Sequence, residues 1–127
     1  EGPPAAYGYC FERLCLKLGT FLPNDCWSAM DGRFFDAVRS ALRTGGVHDF
    51  EPRDLVGNGP GVPLPEIAGF PLIGHVPNGR TAALVNALDG LNAEAVADAE
   101  ALEAIAQMHD WLRECESGGD DLVCFYH

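Results

Sequence analysis

Histidine and cysteine are the residues of this 127-residue chain best suited to chemistry, and it has four of the first and five of the second. His75 is the most suggestive. It follows Gly74 near the end of an apolar, β-branched run, where a loop could present an imidazole in a cleft as a general base. His48 stands beside Asp49, an acid able to orient it, and Cys26 or Ser28 could serve as a nucleophile. Neighbours in a chain usually point apart, however, and no spacing here fixes a partner for any histidine. The expected state of His75 is therefore a half-buried ring hydrogen-bonded to backbone. His109 falls on an apolar helical stripe that Asp110 does not share, and reads as a histidine at the edge of the core.

Metal and phosphate chemistry lack the necessary patterns. Cys10 and Cys15 are five positions apart, about 140° around a helix, and cannot chelate from one face. With no C-x-x-C pair and an odd number of scattered cysteines, the thiols read as reduced and cytosolic, and no metal or cofactor is expected. The loop Gly57-Asn58-Gly59-Pro60-Gly61 has the glycines of a phosphate cradle but neither the lysine nor the following helix start.

Charge says more. Nineteen acidic residues against eight basic give a formal net charge of −11, which repels nucleic-acid backbones and anionic membranes. The acid is concentrated in Glu94–Glu103 and Glu114–Asp121, and Glu94, Asp98, Glu100, Glu103, Glu114 and Glu116 are the candidate contacts for a basic protein partner. Ordinarily such a run is simply a solvated face. No stretch approaches the ~18 consecutive apolar residues of a membrane span, and nothing in the sequence sets an oligomeric state.

The elements that would carry these residues follow from apolar spacing. Tyr7, Cys10, Phe11, Leu14, Cys15 and Leu18 predict a first helix over 7–18 that Gly19 ends. After a turn at Pro23-Asn24-Asp25, with Ser28 as cap, Met30, Phe34, Val38, Ala41 and Leu42 predict a second helix over 29–42, closed by Thr44-Gly45-Gly46. A turn of helix is expected at 51–56. Prolines at 60, 63, 65 and 71 then make 57–71 an extended connection. Leu72–Val76 reads as a short strand, Pro77-Asn78-Gly79 as a turn, and 81–88 as a helix that Gly90 breaks. Asn92 is the expected cap of the longest helix, which runs to about Glu116 and stops at Ser117-Gly118-Gly119. Leu122–Tyr126 is a closing strand, which must pair either with Leu72–Val76 or with a strand outside this sequence.

These pieces predict an α+β fold, mostly helical, with about four helices on a very small sheet that includes the C-terminal strand. A chain of this length supports one core, so 1–127 is expected to be a single globular domain. Because the first residue is Glu1, an N-terminal segment of the full-length protein is expected to be missing.

Several runs carry a family resemblance. They are Tyr7-Gly8-Tyr9 leading to Leu14-Cys15, Leu18-Gly19-Thr20-Phe21-Leu22-Pro23-Asn24, Pro63-Leu64-Pro65 before Phe70-Pro71-Leu72-Ile73-Gly74-His75, Trp111-Leu112, and Asp121–Tyr126. Together they resemble an actinobacterial family of uncharacterised proteins, itself similar in pattern to the YfbM-like domains of unknown function. The resemblance implies an α+β domain whose C-terminal strand pairs with a further N-terminal strand, and it carries over no functional residue. The sequence departs from it after His75, where Val76-Pro77-Asn78-Gly79-Arg80 replaces the Thr-Pro-Glu-Glu helix start of the relatives.

Two functions fit these observations. The stronger is a non-enzymatic, protein-binding or regulatory domain, immunity-like in that its acidic helical surface would engage a basic protein. The alternative is a small cytosolic enzyme with a cleft around His75, His48 and Asp49 at the Pro/Gly-rich connection.

Overall fold

The computed structural model describes residues 4–24, 26–27, 32–57, 59–61 and 72–126. Helix α1 spans Pro4–Leu18, α2 Gly32–Thr44, a single turn α3 Asp54–Gly57, α4 Asn78–Asp89 and α5 Ala99–Gly118; strands β1 (Leu72–Val76) and β2 (Leu122–Tyr126) complete the order α1-α2-α3-β1-α4-α5-β2. The fold is α+β and mostly helical, as the spacing of apolar residues predicts.

The closing strand pairs with β1. The two strands run antiparallel, with Gly74 opposite Cys124 and Val76 opposite Leu122. Alternation then sorts the side chains. Val76, Leu122 and Cys124 face the main core together with Leu55 of α3, whereas Ile73, His75, Val123 and Phe125 share the other face. Gly74 allows the close approach to α3, since a Cβ there would overlap the carbonyl of Leu55.

The core lies between α2, α4, α5 and the inner face of the sheet. Trp27, Val38, Leu42, Met108 and Leu112 are almost fully enclosed within it. The loop before α2 is tied down over α5: the Trp27 indole donates to the Ala104 carbonyl at 2.8 Å, and the Cys26 N–H donates to Gln107 Oε1 at 2.9 Å. Trp27 also sits edge-on to Phe34, at 5.3 Å between ring centroids, and 6.0 Å from Trp111.

Some local expectations are corrected. The longest helix is not capped by Asn92, whose side chain makes no capping bond and whose N–H instead donates to the Gly45 carbonyl at 2.9 Å. A turn of 3-10 helix at Ala93–Ala95 follows, and Asp98 caps α5 by accepting from Ala101 N–H at 3.1 Å. Pro77-Asn78-Gly79 is not a separate turn, because α4 already begins at Asn78. Its first N–H is satisfied from outside the helix, by Asp121 Oδ1 at 2.8 Å. Ser28 and most of the 57–71 connection lie outside the described residues. Only part of the apolar stripe of α1 finds the fold: Phe11 meets Phe125 at a tilt of 58°, with ring centroids 5.8 Å apart, but Leu14 is exposed and Leu18 is 80% exposed.

Candidate functional site

Helix α5 turns Ala101, Ala104, Ile105, Met108, Trp111, Leu112 and Cys115 inward, at the three- and four-residue spacing of one helical face. That spacing fixes what faces out. Glu100, Glu103, Asp110 and Glu114 recur at the same intervals along the flank of that buried face and form one exposed acidic stripe within about 80° of arc at 100° per residue. Glu94 and Asp98 are exposed on the approach to the helix, and Glu116 is exposed but about 160° around the axis from Glu114. The six predicted partner-binding acids are thus all at the surface, though Glu116 stands apart from the stripe.

Between positions 89 and 121 the chain has ten carboxylates and one arginine. That arginine, Arg113, reaches Asp89 at 3.1 Å and Asp110 at 3.5 Å. Among the described residues no cation pairs with Glu94, Asp98, Glu100, Glu103, Glu114 or Glu116. Glu100 suits the helix dipole, but Glu114 and Glu116 stand near the negative end of α5, whose last turn has no basic residue. Their position works against helix stability.

Asp89 also lies 2.8 Å from His109 Nε2, an ion-pair distance if the ring is protonated, but without the alignment of a hydrogen bond; the buried Nε2 has none. His109 therefore sits at the edge of the core, as its place on the apolar stripe suggests.

The acid that reaches His75 is Asp121. His75 Nε2 and Asp121 Oδ2 are 2.7 Å apart, with the imidazole 18% exposed. Sheet register brings them together: Val123 is opposite His75, and Asp121 is its diagonal neighbour two residues on, on the same face. The hydrogen bond from His75 and the one from Asn78 N–H hold the Asp121 carboxyl below its usual range. Gly61, at φ +76°, leaves room for the ring, since a Cβ there would overlap it. Asn78 completes the cluster by donating its amide to the Cys115 and Asp120 carbonyls at 3.2 and 3.1 Å.

His48 and Asp49 are both exposed in the loop after α2, and among the described residues no hydrogen bond or ion pair joins either to His75. Cys26 is bonded through its backbone to Gln107. Sequence reasoning missed Asp110 and Asp121. Helical spacing from Glu103 and Glu114 could have found the first; the second required the strand pairing.

Among the described residues, no three His, Cys, Asp or Glu side chains converge as metal ligands, and no helix is long and apolar enough to cross a membrane.

Fold and surface together define a small, mostly helical α+β domain with an acidic helix lying along its outside. The chain belongs to the family described as a domain of unknown function (DUF7691), matched over residues 2–127. Neither a curated protein nor a solved structure matches it.

Proposed function

We propose that this protein is a non-enzymatic binding or regulatory domain, immunity-like in action, whose acidic α5 surface engages a basic protein. The observation that carries the reading is the uncompensated charge at the C-terminal end of α5. Glu114 and Glu116 oppose the helix dipole with no basic residue in the last turn, and the like charges of Asp110 and Glu114, four residues apart, repel by a few tenths of a kcal/mol. Acid retained against local stability fits a surface whose counter-charge comes from a partner. The same proposal places the protein in bacterial cytoplasm, a reading supported by its five free thiols.

The test compares the wild type with a variant carrying Glu100→Gln, Glu103→Gln, Glu114→Gln and Glu116→Gln, each used to capture partners from native cells at low and high salt. A stoichiometric basic protein should elute from the wild type as salt rises and be lost from the variant, while the variant melts at an equal or higher temperature. Equal capture by both proteins sinks the reading.

One observation favours the enzymatic alternative: the His75–Asp121 contact has the geometry of an oriented general base. A screen of ester, amide and phosphate substrates should then show turnover by the wild type that His75→Gln abolishes. No turnover by the wild type leaves the contact a structural tie between β1 and the start of β2.

A further inference from the structure

We propose that the open depression between Leu22–Pro23 and the C-terminal half of α5 receives a lysine or arginine side chain of a basic protein partner, an inference that rests on the binding function above and locates its contact. The depression has a volume of about 400 Å³ and combines an apolar floor with a carboxylate rim.

The floor is Leu22, Pro23 and Trp111. It is rigid. The Trp111 indole N–H donates to the Pro23 carbonyl at 2.6 Å, the Leu22 side chain packs partly against the core, and Trp111 itself is only 8% exposed. The rim is Asp110 and Glu114, one helical turn apart at the lower end of the acidic stripe.

Arg113 also lines the depression, but its guanidinium is directed to Asp89 and Asp110. Glu114 therefore presents the carboxylate to which no cation of the described residues is bound.

An apolar floor beneath an anionic rim matches a long cationic side chain, whose methylene stem needs apolar contact while its head needs a carboxylate. A protein source is favoured over a free polyamine by what adjoins the floor. Phe21, next in the chain to Leu22, is 75% exposed, and Leu18 beyond it is also bare. Exposed apolar residues beside a charged rim mark a surface that covers a polypeptide rather than a small cation. Nucleic acid is disfavoured by the net charge of −11.

The experiment uses the whole chain labelled with ¹⁵N and a synthetic probe, acetyl-Leu-Arg-Gly-Leu-Arg-amide, at low salt, with its citrulline analogue and spermidine as comparisons. The Trp111 indole N–H signal reports on the floor, and the buried Trp27 signal is the internal reference. The peptide should shift Trp111 and not Trp27, and the citrulline analogue should not.

Glu114→Lys should weaken peptide binding about fivefold or more, while the remote Glu94→Lys, with the same change in net charge, should weaken it less than about twofold. Equal loss in the two variants overturns the groove and leaves the acidic-surface reading standing. Absence of any peptide binding at low salt, together with equal capture of cellular protein by the wild type and the four-glutamine variant, overturns both. Spermidine producing the same Trp111 shift at the same affinity overturns the protein partner in favour of a free polyamine.

Discussion

Replacing Gly74 with alanine measures how closely the sheet is seated on α3. Gly74 is the central residue of β1, paired with Cys124, and a Cβ built on it would overlap the Leu55 carbonyl carbon and oxygen and lie 2.5 Å from the Asp54 carbonyl oxygen. Restoring a normal separation of ~3.5 Å requires a relative movement on the order of 1 Å between strand and helix. Nothing flexible can yield, because both partners are backbone. Leu55 is only 2% exposed, and Val76 and Leu122 fill the core beside it, so a retreat of α3 also opens space beneath the sheet. Overpacking of this kind costs roughly 1–3 kcal/mol, and a clash with backbone belongs at the upper end, about 3 kcal/mol. For a domain of this size that is a fall in Tm of about 10 °C. Urea unfolding followed by far-UV circular dichroism reads the change directly, with the slope unchanged and the midpoint lowered. Gly79→Ala is the matched reference: Gly79 is in α4, a Cβ there meets nothing within 4 Å, and the substitution should stabilise by up to about 1 kcal/mol through helix propensity. A Gly74→Ala variant within about 0.5 kcal/mol of the wild type would refute the close packing of β1 on α3.

Three further outcomes are expected. Asp121 has a carboxyl pKa held below its ordinary value by His75 and Asn78, so its stabilisation is complete above about pH 4 and is lost as the pH falls through the depressed folded value. Acid unfolding monitored by tryptophan fluorescence should show a shallower pH dependence for Asp121→Asn in that range; an unchanged profile counts against the cluster. Asp98→Ala should destabilise by about 1 kcal/mol through loss of the α5 cap, whereas Asp98→Asn, which can still accept from Ala101, should be close to wild type in thermal unfolding. Burial, helped by the nearby Cys115, pushes the Cys124 thiol pKa up to about 12, so iodoacetamide at pH 8 should alkylate the exposed Cys10 well before Cys124, and peptide mass spectrometry showing the reverse order would contradict the packing of β2.

Wherever one face of an element is buried, the sequence was enough to locate it. Apolar residues at three- and four-residue spacing placed α2 and the body and C-terminal end of α5, though the start of α5 lies about six residues later than Asn92 suggested, and the apolar runs 72–76 and 122–126 announced the two strands. Glycine stopped the longest helix where expected, with Gly119 in the left-handed region at φ +69°. The acidic excess of the last third was legible too, because charge needs no fold to be counted.

Local chemistry misled where a distant group competed for the same atoms. Asn92 has the right residue type for a cap, but its N–H is bound to the end of α2, and the cap passed to Asp98. Asn78 looked like part of a turn, yet it opens α4 because Asp121, 43 residues away, accepts its N–H.

What only the tertiary structure decided is which groups meet. His48 and Asp49 are chain neighbours without a bond between either and His75, whereas Asp121 reaches His75 from 46 residues away because antiparallel register makes it a diagonal neighbour. The depression beside Trp111 likewise joins Pro23 and Trp111 across 88 residues of chain. Periodicity reports the faces of single elements, since it is set by backbone geometry within each one; contacts between elements depend on how those faces dock, and no local pattern encodes that.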